Sequence, residues 1–274
     1  MRLDSDVTDA PGWTVVIPVK VLSAAKSRMA TVTPATSELA FAFFQDTLEA
    51  ALASTAVGEV VVATADDRVR VTAQGRGCTI VSDIDHPGIN AAVRQAVAQR
   101  SGRGGVAIVV SDLPAVTADA LTSVLSAASE HPTSFLADAD GTGTTMWMSC
   151  DGTDIDPRFG VASRAVHADG GAVDLIAESP AMAAPWASAR RDVDTDTALA
   201  DAIAMGVGRH TADAVGPAAE QIVTVLTHRG HRVAVVDEDG HTSEVAWSAV
   251  VAAGLLDLHP GQRIALTGGA VRLP

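Results

Sequence analysis

Two aspartates, Asp192 and Asp194, stand one residue apart in a stretch without helical patterning. In extended chain, residues i and i+2 face the same side, so both carboxylates could chelate one or two cations. Asp112 belongs to Ser111-Asp112-Leu113-Pro114, directly after the apolar run Val106–Val110. An aspartate at the carboxyl end of a strand can hold a metal over a site there. Each carboxylate also has a plainer reading. Asp-x-Pro makes a turn, or a cap for a helix starting near Thr117, and Asp194 or Asp196 could serve only as helix N-caps.

The cations are grouped as well. Lys20 and Lys26 are the only lysines of the chain, and Arg28 follows two residues later. All three come just after the apolar run that ends Val15-Val16-Ile17-Pro18-Val19. Ammonium groups act as point charges on phosphate, and a guanidinium grips two oxygens at once; the plainer reading is a solvated basic loop. The formal net charge is −14, which argues against nucleic acid as a partner and means that a phosphate site needs local cations or a metal. In Gly141-Thr142-Gly143-Thr144-Thr145, turned-in amides and hydroxyls suit a carboxylate or phosphate, although an ordinary hairpin loop has the same composition. Asn90, at Gly88-Ile89-Asn90, either reads a base edge or caps a helix. The eight histidines show no metal-ligand spacing, and His86 and His167 read as structural. No Ser/His/Asp or Cys/His arrangement is recoverable.

These groups fall at the ends of alternating elements. Strands are expected at 14–19, 59–63, 78–81 and 106–110, and helices at 37–54, 66–75, 89–99 and 117–129. That alternation predicts a mostly parallel α/β sheet with helices on both faces. The glycine-rich dinucleotide fingerprint is absent after the first strand. Beyond it come a strand start at 136–137, a glycine loop at 138–145, a short strand at 146–149, a turn into a helix at 159–164, a loop at 179–189 and a helix at 198–205. Residues 222–274 change grammar. Short strands at 223–226, 232–236, 244–247 and 263–266, with turns at Asp237-Glu238-Asp239-Gly240 and Pro260-Gly261, predict a small five-stranded β-barrel-like domain. The expected organisation is a disordered lead-in at 1–12, a main domain at 13–210, a linker at 211–221 and the β domain at 222–274. Two cysteines without metal-ligand spacing, no secretory signal and no run of about 18 apolar residues predict a reduced cytoplasmic setting without a membrane span.

As an ordered set, these motifs resemble a known family. Ile17-Pro18-Val19-Lys20 with Ala25-Lys26-Ser27-Arg28, Ser111-Asp112-Leu113-Pro114, Asp140-Gly141-Thr142-Gly143-Thr144-Thr145, Phe159-Gly160-Val161-Ala162-Ser163 with His167, and Asp192-Val193-Asp194-Thr195 are similar to the 2-phospho-L-lactate or phosphoenolpyruvate guanylyltransferases of deazaflavin coenzyme (F-420) biosynthesis. The resemblance covers about 13–208 and implies a GT-A-like, Rossmann-like nucleotidyltransferase fold. It implies GMP transfer from GTP to phosphoenolpyruvate or 2-phospho-L-lactate with release of pyrophosphate. Asp112, Asp192 and Asp194 would hold Mg2+; Lys20, Lys26 and Arg28 would line the triphosphate; Asn90 would sit near guanine, with Pro18 also at the nucleotide. Thr145, Gly160 and Ser163 would hold the acceptor's carboxylate. The other readings are another small-molecule nucleotidyltransferase, such as a molybdopterin guanylyltransferase, and a GTP-binding regulator without turnover. A homodimer remains an open expectation. The tail departs from the family, which ends soon after the Asp-x-Asp helix. It vaguely resembles cold-shock-like barrels, but has only Trp247 to stack a base.

Overall fold

The computed structural model describes residues 12–22, 36–82, 89–101, 104–153, 155–216, 221–230, 232–238, 240–267 and 270–274. They belong to two compact units, Met1–Ala214 and Val215–Pro274. No helix among the described residues is long and apolar enough to cross a membrane.

The first unit is built on a sheet of β1 (Trp13–Val19), β2 (Val57–Thr64), β3 (Thr79–Val81), β4 (Val106–Val109), β5 (Thr133–Ala137), β6 (Thr144–Ser149) and β7 (Val173–Asp174), in the order β3-β2-β1-β4-β6-β5-β7. Only β6 runs against the others. The sheet is buried on both faces, which is why β1 is apolar at successive positions rather than alternate ones. Val15, Ile17 and Val19 enter one core with α1 (Thr36–Ala53), α2 (Asp67–Gly75) and α4 (Ala118–Ala128), whereas Val16 enters the other with α3 (Ile89–Gln99). Phe43 and Phe44 of α1 are fully buried, each worth roughly 1.5–3 kcal/mol over exposure.

Chain order sets where a ligand can sit. From β1 the chain winds outward through β2 to β3, then returns to β4 on the other side of β1. The crevice beyond the carboxyl ends of β1 and β4 is therefore the topological switch point, where open α/β sheets bind their ligands.

Two expectations change in this unit. Residues 179–189, expected as loop, form a 3-10 turn at Pro180–Ala183 and α7 (Ala187–Arg190), after the short α5 (Ser163–Asp169) and α6 (Leu175–Glu178). Trp186 explains this: its ring is buried and its Nε1 donates to Ser123 Oγ at 2.9 Å, so the segment packs on α4. Residues 211–215, expected in a linker, finish α9 (Arg209–Val215), which follows α8 (Asp196–Met205). The Asp46 carboxylate accepts the His210 and Thr211 amides at 3.0 and 2.9 Å and so supplies the cap for α9. Burial pushes the carboxyl of Glu49 up, but hydrogen bonds from Arg209, His210 and Arg76 overcome this and hold it at about 2.

The second unit is an antiparallel sheet in the order β10-β9-β8-β11-β12, from β8 (Gln221–Arg229), β9 (Arg232–Val236), β10 (Thr242–Ala246), β11 (Arg263–Thr267) and β12 (Ala270–Arg272). Val223, Val225, Val233 and Val235 face one way into its core. The register shift between Val225 and Thr227 leaves Leu226 exposed. In the β9–β10 turn, the Asp237 side chain accepts the His241 amide at 2.8 Å and Gly240 takes φ 86°. The expected strand 244–247 stops at Ala246, and α10 (Trp247–Ala252) packs against both edge strands, β10 and β12. The Trp247 ring is stacked on His228, with centroids 4.0 Å apart.

Candidate active site

A cavity of about 530 Å3 opens at the switch point. Pro18 and Val19 of β1, with Lys20 and Leu22 just beyond, form one wall. The segment after β1 is fixed from β2's side, because Asp66 Oδ2 accepts the Leu22 amide at 3.0 Å while Oδ1 caps α2 through Arg68 and Val69. Lys20 is exposed. Lys26 and Arg28 lie outside the described residues, as do His86 and Gly88.

Asp112, Asp192 and Asp194 all border the cavity, although 80 residues separate the first from the second. A backbone hydrogen bond joins the two segments, with the Val193 amide donating to the Asp112 carbonyl at 3.0 Å. Val193 is fully buried between its two cavity-facing neighbours, the alternation expected of extended chain. On its other side the Asp112 segment is anchored by the Leu113 amide donating to Thr47 Oγ1 at 3.2 Å. The capping alternatives fall away. Thr117 caps α4 and Thr195 caps α8 through their own hydroxyls.

The carboxylates perturb one another. Burial, and then the charges of Asp112, Asp194 and Asp138, push the Asp192 carboxyl from 3.8 up to about 7. Asp138 is the group that sequence reasoning passed over. It directly follows β5, is buried, and its two oxygens accept the Thr142 and Gly143 amides at 2.9 and 2.8 Å. That curls the glycine loop around the carboxylate, and a Cβ on Gly143 would lie 2.4 Å from Asp138 Oδ2. Arg190 secures the same corner, donating to the carbonyls of Ala137 and Asp138 at 2.9 and 2.7 Å.

The far wall comes from Thr142, Gly143 and Thr144, and from the turn Phe159–Ser163. Gly160 and Ser163 border the cavity. Ala162 holds φ 55°, an uncommon left-handed conformation for a residue with a Cβ. Thr145 does not reach this wall. It is fully buried in β6, and its hydroxyl reaches the Leu136 carbonyl at 3.5 Å. Because β6 begins at Thr144, parity turns Thr144 to the cavity and Thr145 away. Asn90 is not among the residues lining the cavity either. Its amide clamps the Phe159 backbone from α3, accepting the Phe159 N–H at 3.1 Å and donating to its carbonyl at 3.4 Å.

His167 sits behind this wall, edge-on to Phe159 and tilted against Phe135, both at 5.6 Å between centroids. Its Nε2 accepts the Arg158 amide at 2.8 Å, and its Nδ1 lies 3.0 Å from Thr144 Oγ1. Burial and the nearby Arg158 charge lower its pKa to about 4, so the ring is neutral near pH 7.

Among the described residues, the fold thus gathers carboxylates, Lys20 and neutral donors around one cavity. The MobA-like NTP transferase domain matches residues 42–265. The phosphoenolpyruvate guanylyltransferase of Salinispora arenicola is 42% identical over 76% of this chain and 95% of its own length. Those of Streptomyces avermitilis and Geodermatophilus obscurus are 44% and 40% identical, over 74% and 76% of this chain and 93% and 95% of theirs. About a quarter of this chain therefore lies outside what it shares with them. The chain belongs to the phosphoenolpyruvate guanylyltransferase family and carries its MobA-like NTP transferase domain.

Proposed function

We propose that this chain transfers GMP from GTP to phosphoenolpyruvate, releasing pyrophosphate, with 2-phospho-L-lactate as the alternative acceptor. The observation that carries the reading is the convergence of Asp112, Asp192 and Asp194 on the switch-point cavity, where burial and the neighbouring carboxylates push the Asp192 carboxyl up to about 7. Such crowding disfavours the ionised cluster and is relieved by a cation. The residues therefore fit a divalent metal: oxygen donors only, from two segments tied together by a backbone bond. Magnesium held by Asp112, Asp192 and Asp194 would offset charge on the triphosphate and the departing pyrophosphate.

The chain's own residues supply position and charge. Lys20 is the described cation on the nucleotide side of the cavity, and Pro18 shapes the wall beside it. Gly160 and Ser163, with Thr142 and Thr144 added by the structure, offer neutral donors to the acceptor's carboxylate or phosphate. The attacking atom is a phosphate oxygen of the acceptor, in line with the α-phosphorus. It is already anionic, so the reaction needs no general base. That suits a site in which His167 has both ring nitrogens engaged behind the wall. Place in deazaflavin coenzyme synthesis follows if the product is the guanylylated phospho-acid.

The test is an acceptor panel with GTP and magnesium, read by pyrophosphate release and product mass. Release above the acceptor-free level with phosphoenolpyruvate or 2-phospho-L-lactate supports the reading. GTP binding without release for any small phospho-acid would favour a regulator instead.

A further inference from the structure

The hydrogen-bond chain behind the acceptor wall has a fixed direction. A backbone N–H can only donate, so the Arg158 amide, 2.8 Å from His167 Nε2, makes that nitrogen an acceptor. The neutral ring then carries its proton on Nδ1. Nδ1 faces Thr144 Oγ1 at 3.0 Å, so the ring donates and the threonine oxygen accepts. The hydroxyl's own hydrogen is left over, on a nearly buried residue that borders the cavity. No described residue accepts it.

We propose that His167 is a positioning residue that sets the Thr144 hydroxyl as a donor into the cavity, toward an anionic oxygen of the acceptor. This inference rests on the acceptor reading above. A hydroxyl can donate or accept, and a free one divides its time between rotamers. Here the imidazole occupies the oxygen's lone pair from behind, so the remaining hydrogen points away from it. The ring is in turn held by Phe135, Phe159 and the Arg158 amide. The same histidine thereby links the Arg158–Phe159 turn to β6, which brings the two halves of the acceptor wall to one pivot. Ser163 and Gly160 lie on one half and Thr144 on the other.

Two amide variants separate the two ends of the imidazole. In His167→Asn the amide nitrogen falls near the Nδ1 position and still donates to Thr144. In His167→Gln the amide reaches the Nε2 position and still accepts from Arg158, but leaves Thr144 without its donor. KM for acceptor and for GTP would be measured for both, and for Thr144→Ser and Thr144→Val, with melting temperatures as the check on folding. Losing a hydrogen bond to a charged group typically costs about 10-fold or more. Thr144→Val should therefore raise the acceptor KM about 10-fold or more with the GTP KM unchanged, and Thr144→Ser should restore most of it. His167→Gln should follow Thr144→Val, His167→Asn should raise the acceptor KM less, and adding Thr144→Val to His167→Gln should cost little more. A role confined to holding the turn reverses the order of the two amides. That reversal, or an unchanged acceptor KM in Thr144→Val, overturns the proposal. If the wild-type chain releases no pyrophosphate with any acceptor, calorimetry with phosphoenolpyruvate alone separates the two readings: binding by wild type that Thr144→Val weakens keeps the inference while the transfer reading fails, and equal or absent binding in both overturns the inference.

Discussion

Asp192→Asn puts the carboxylate cluster to the test without removing its shape. In the folded chain the Asp192 carboxyl titrates near 7 rather than at 3.8. A shift of about 3 units corresponds to about 4 kcal/mol at roughly 1.36 kcal/mol per unit. Because the folded pKa is raised, the cost is absent below the unfolded value, grows as pH rises from about 4, and is complete above about 7. At pH 5 it has reached less than half of its final size. Asparagine keeps the volume and one carbonyl oxygen but carries no charge. Without metal, the variant should therefore be more stable than wild type at pH 8, with most of the gain gone at pH 5. For a unit of this size each kcal/mol moves the melting temperature by roughly 2–4 °C, so an upward shift of several degrees is expected. Magnesium should reverse the order, because it stabilises only the form that binds it.

Turnover should move the other way, falling by orders of magnitude in Asp192→Asn, and likewise in Asp112→Asn and Asp194→Asn. The three act as a unit, so their losses should not add. Melting scans at pH 5 and 8, with and without magnesium, and turnover against magnesium concentration provide the readout. A variant that melts lower than wild type at pH 8 without metal, and turns over near normally at limiting magnesium, would refute both the crowding and the metal assignment.

Other consequences can be checked separately. Gly143→Ala would place a Cβ 2.4 Å from Asp138 Oδ2, so the loop must open, and the acceptor KM should rise at least about 10-fold as its donors shift; an unchanged KM would free the loop from acceptor binding. Lys20→Ala should raise the KM for GTP by about 10-fold or more while leaving the acceptor KM alone, which initial-rate kinetics on both substrates would show. The folded pKa of His167 is depressed to about 4 from 6.5, so its contribution to stability is present above 6.5 and is lost as pH falls toward 4, up to about 3 kcal/mol; melting of His167→Asn should show a flatter acid limb than wild type. A chain ended after Ala219 should stay folded and active, since the curated relatives are matched over 93–95% of their length by about three quarters of this chain. An insoluble or inactive product would show that the second unit completes the first.

How much of this site the sequence could reveal depended on which physical rule governed each residue. The carboxylates of Asp112, Asp192 and Asp194 were legible because strand ends and extended-chain parity are properties of the local chain, and both held: Val193 buries itself while its neighbours face the cavity. The capping question was not legible. In Asp194-Thr195-Asp196 all three residues can cap, and only the hydroxyl of Thr195, bonded to the Ala198 amide at 3.2 Å, shows which one does. Asp138 escaped notice because its role is to fold back on the amides of Thr142 and Gly143, a contact that composition does not announce. The choice between Thr144 and Thr145 turned on where β6 begins. The irregularity between Leu136 and Ala137 pairs Ala137 with Thr144, and a shift of one residue in a strand exchanges its two faces. Asn90 was ambiguous for a different reason: an asparagine amide serves a base edge and a backbone equally well, and here it bonds the backbone of the Phe159 turn. The positions set by local periodicity were legible in the chain itself, whereas the partners that engage Thr145 and Asn90 lie 9 and 69 positions away. In this chain, then, charge and strand parity placed the three carboxylates at one edge of the cavity, but the wall of Thr142, Gly143, Thr144 and the Phe159–Ser163 turn emerged only once the sheet had paired β5 with β6 and brought α3 against that turn.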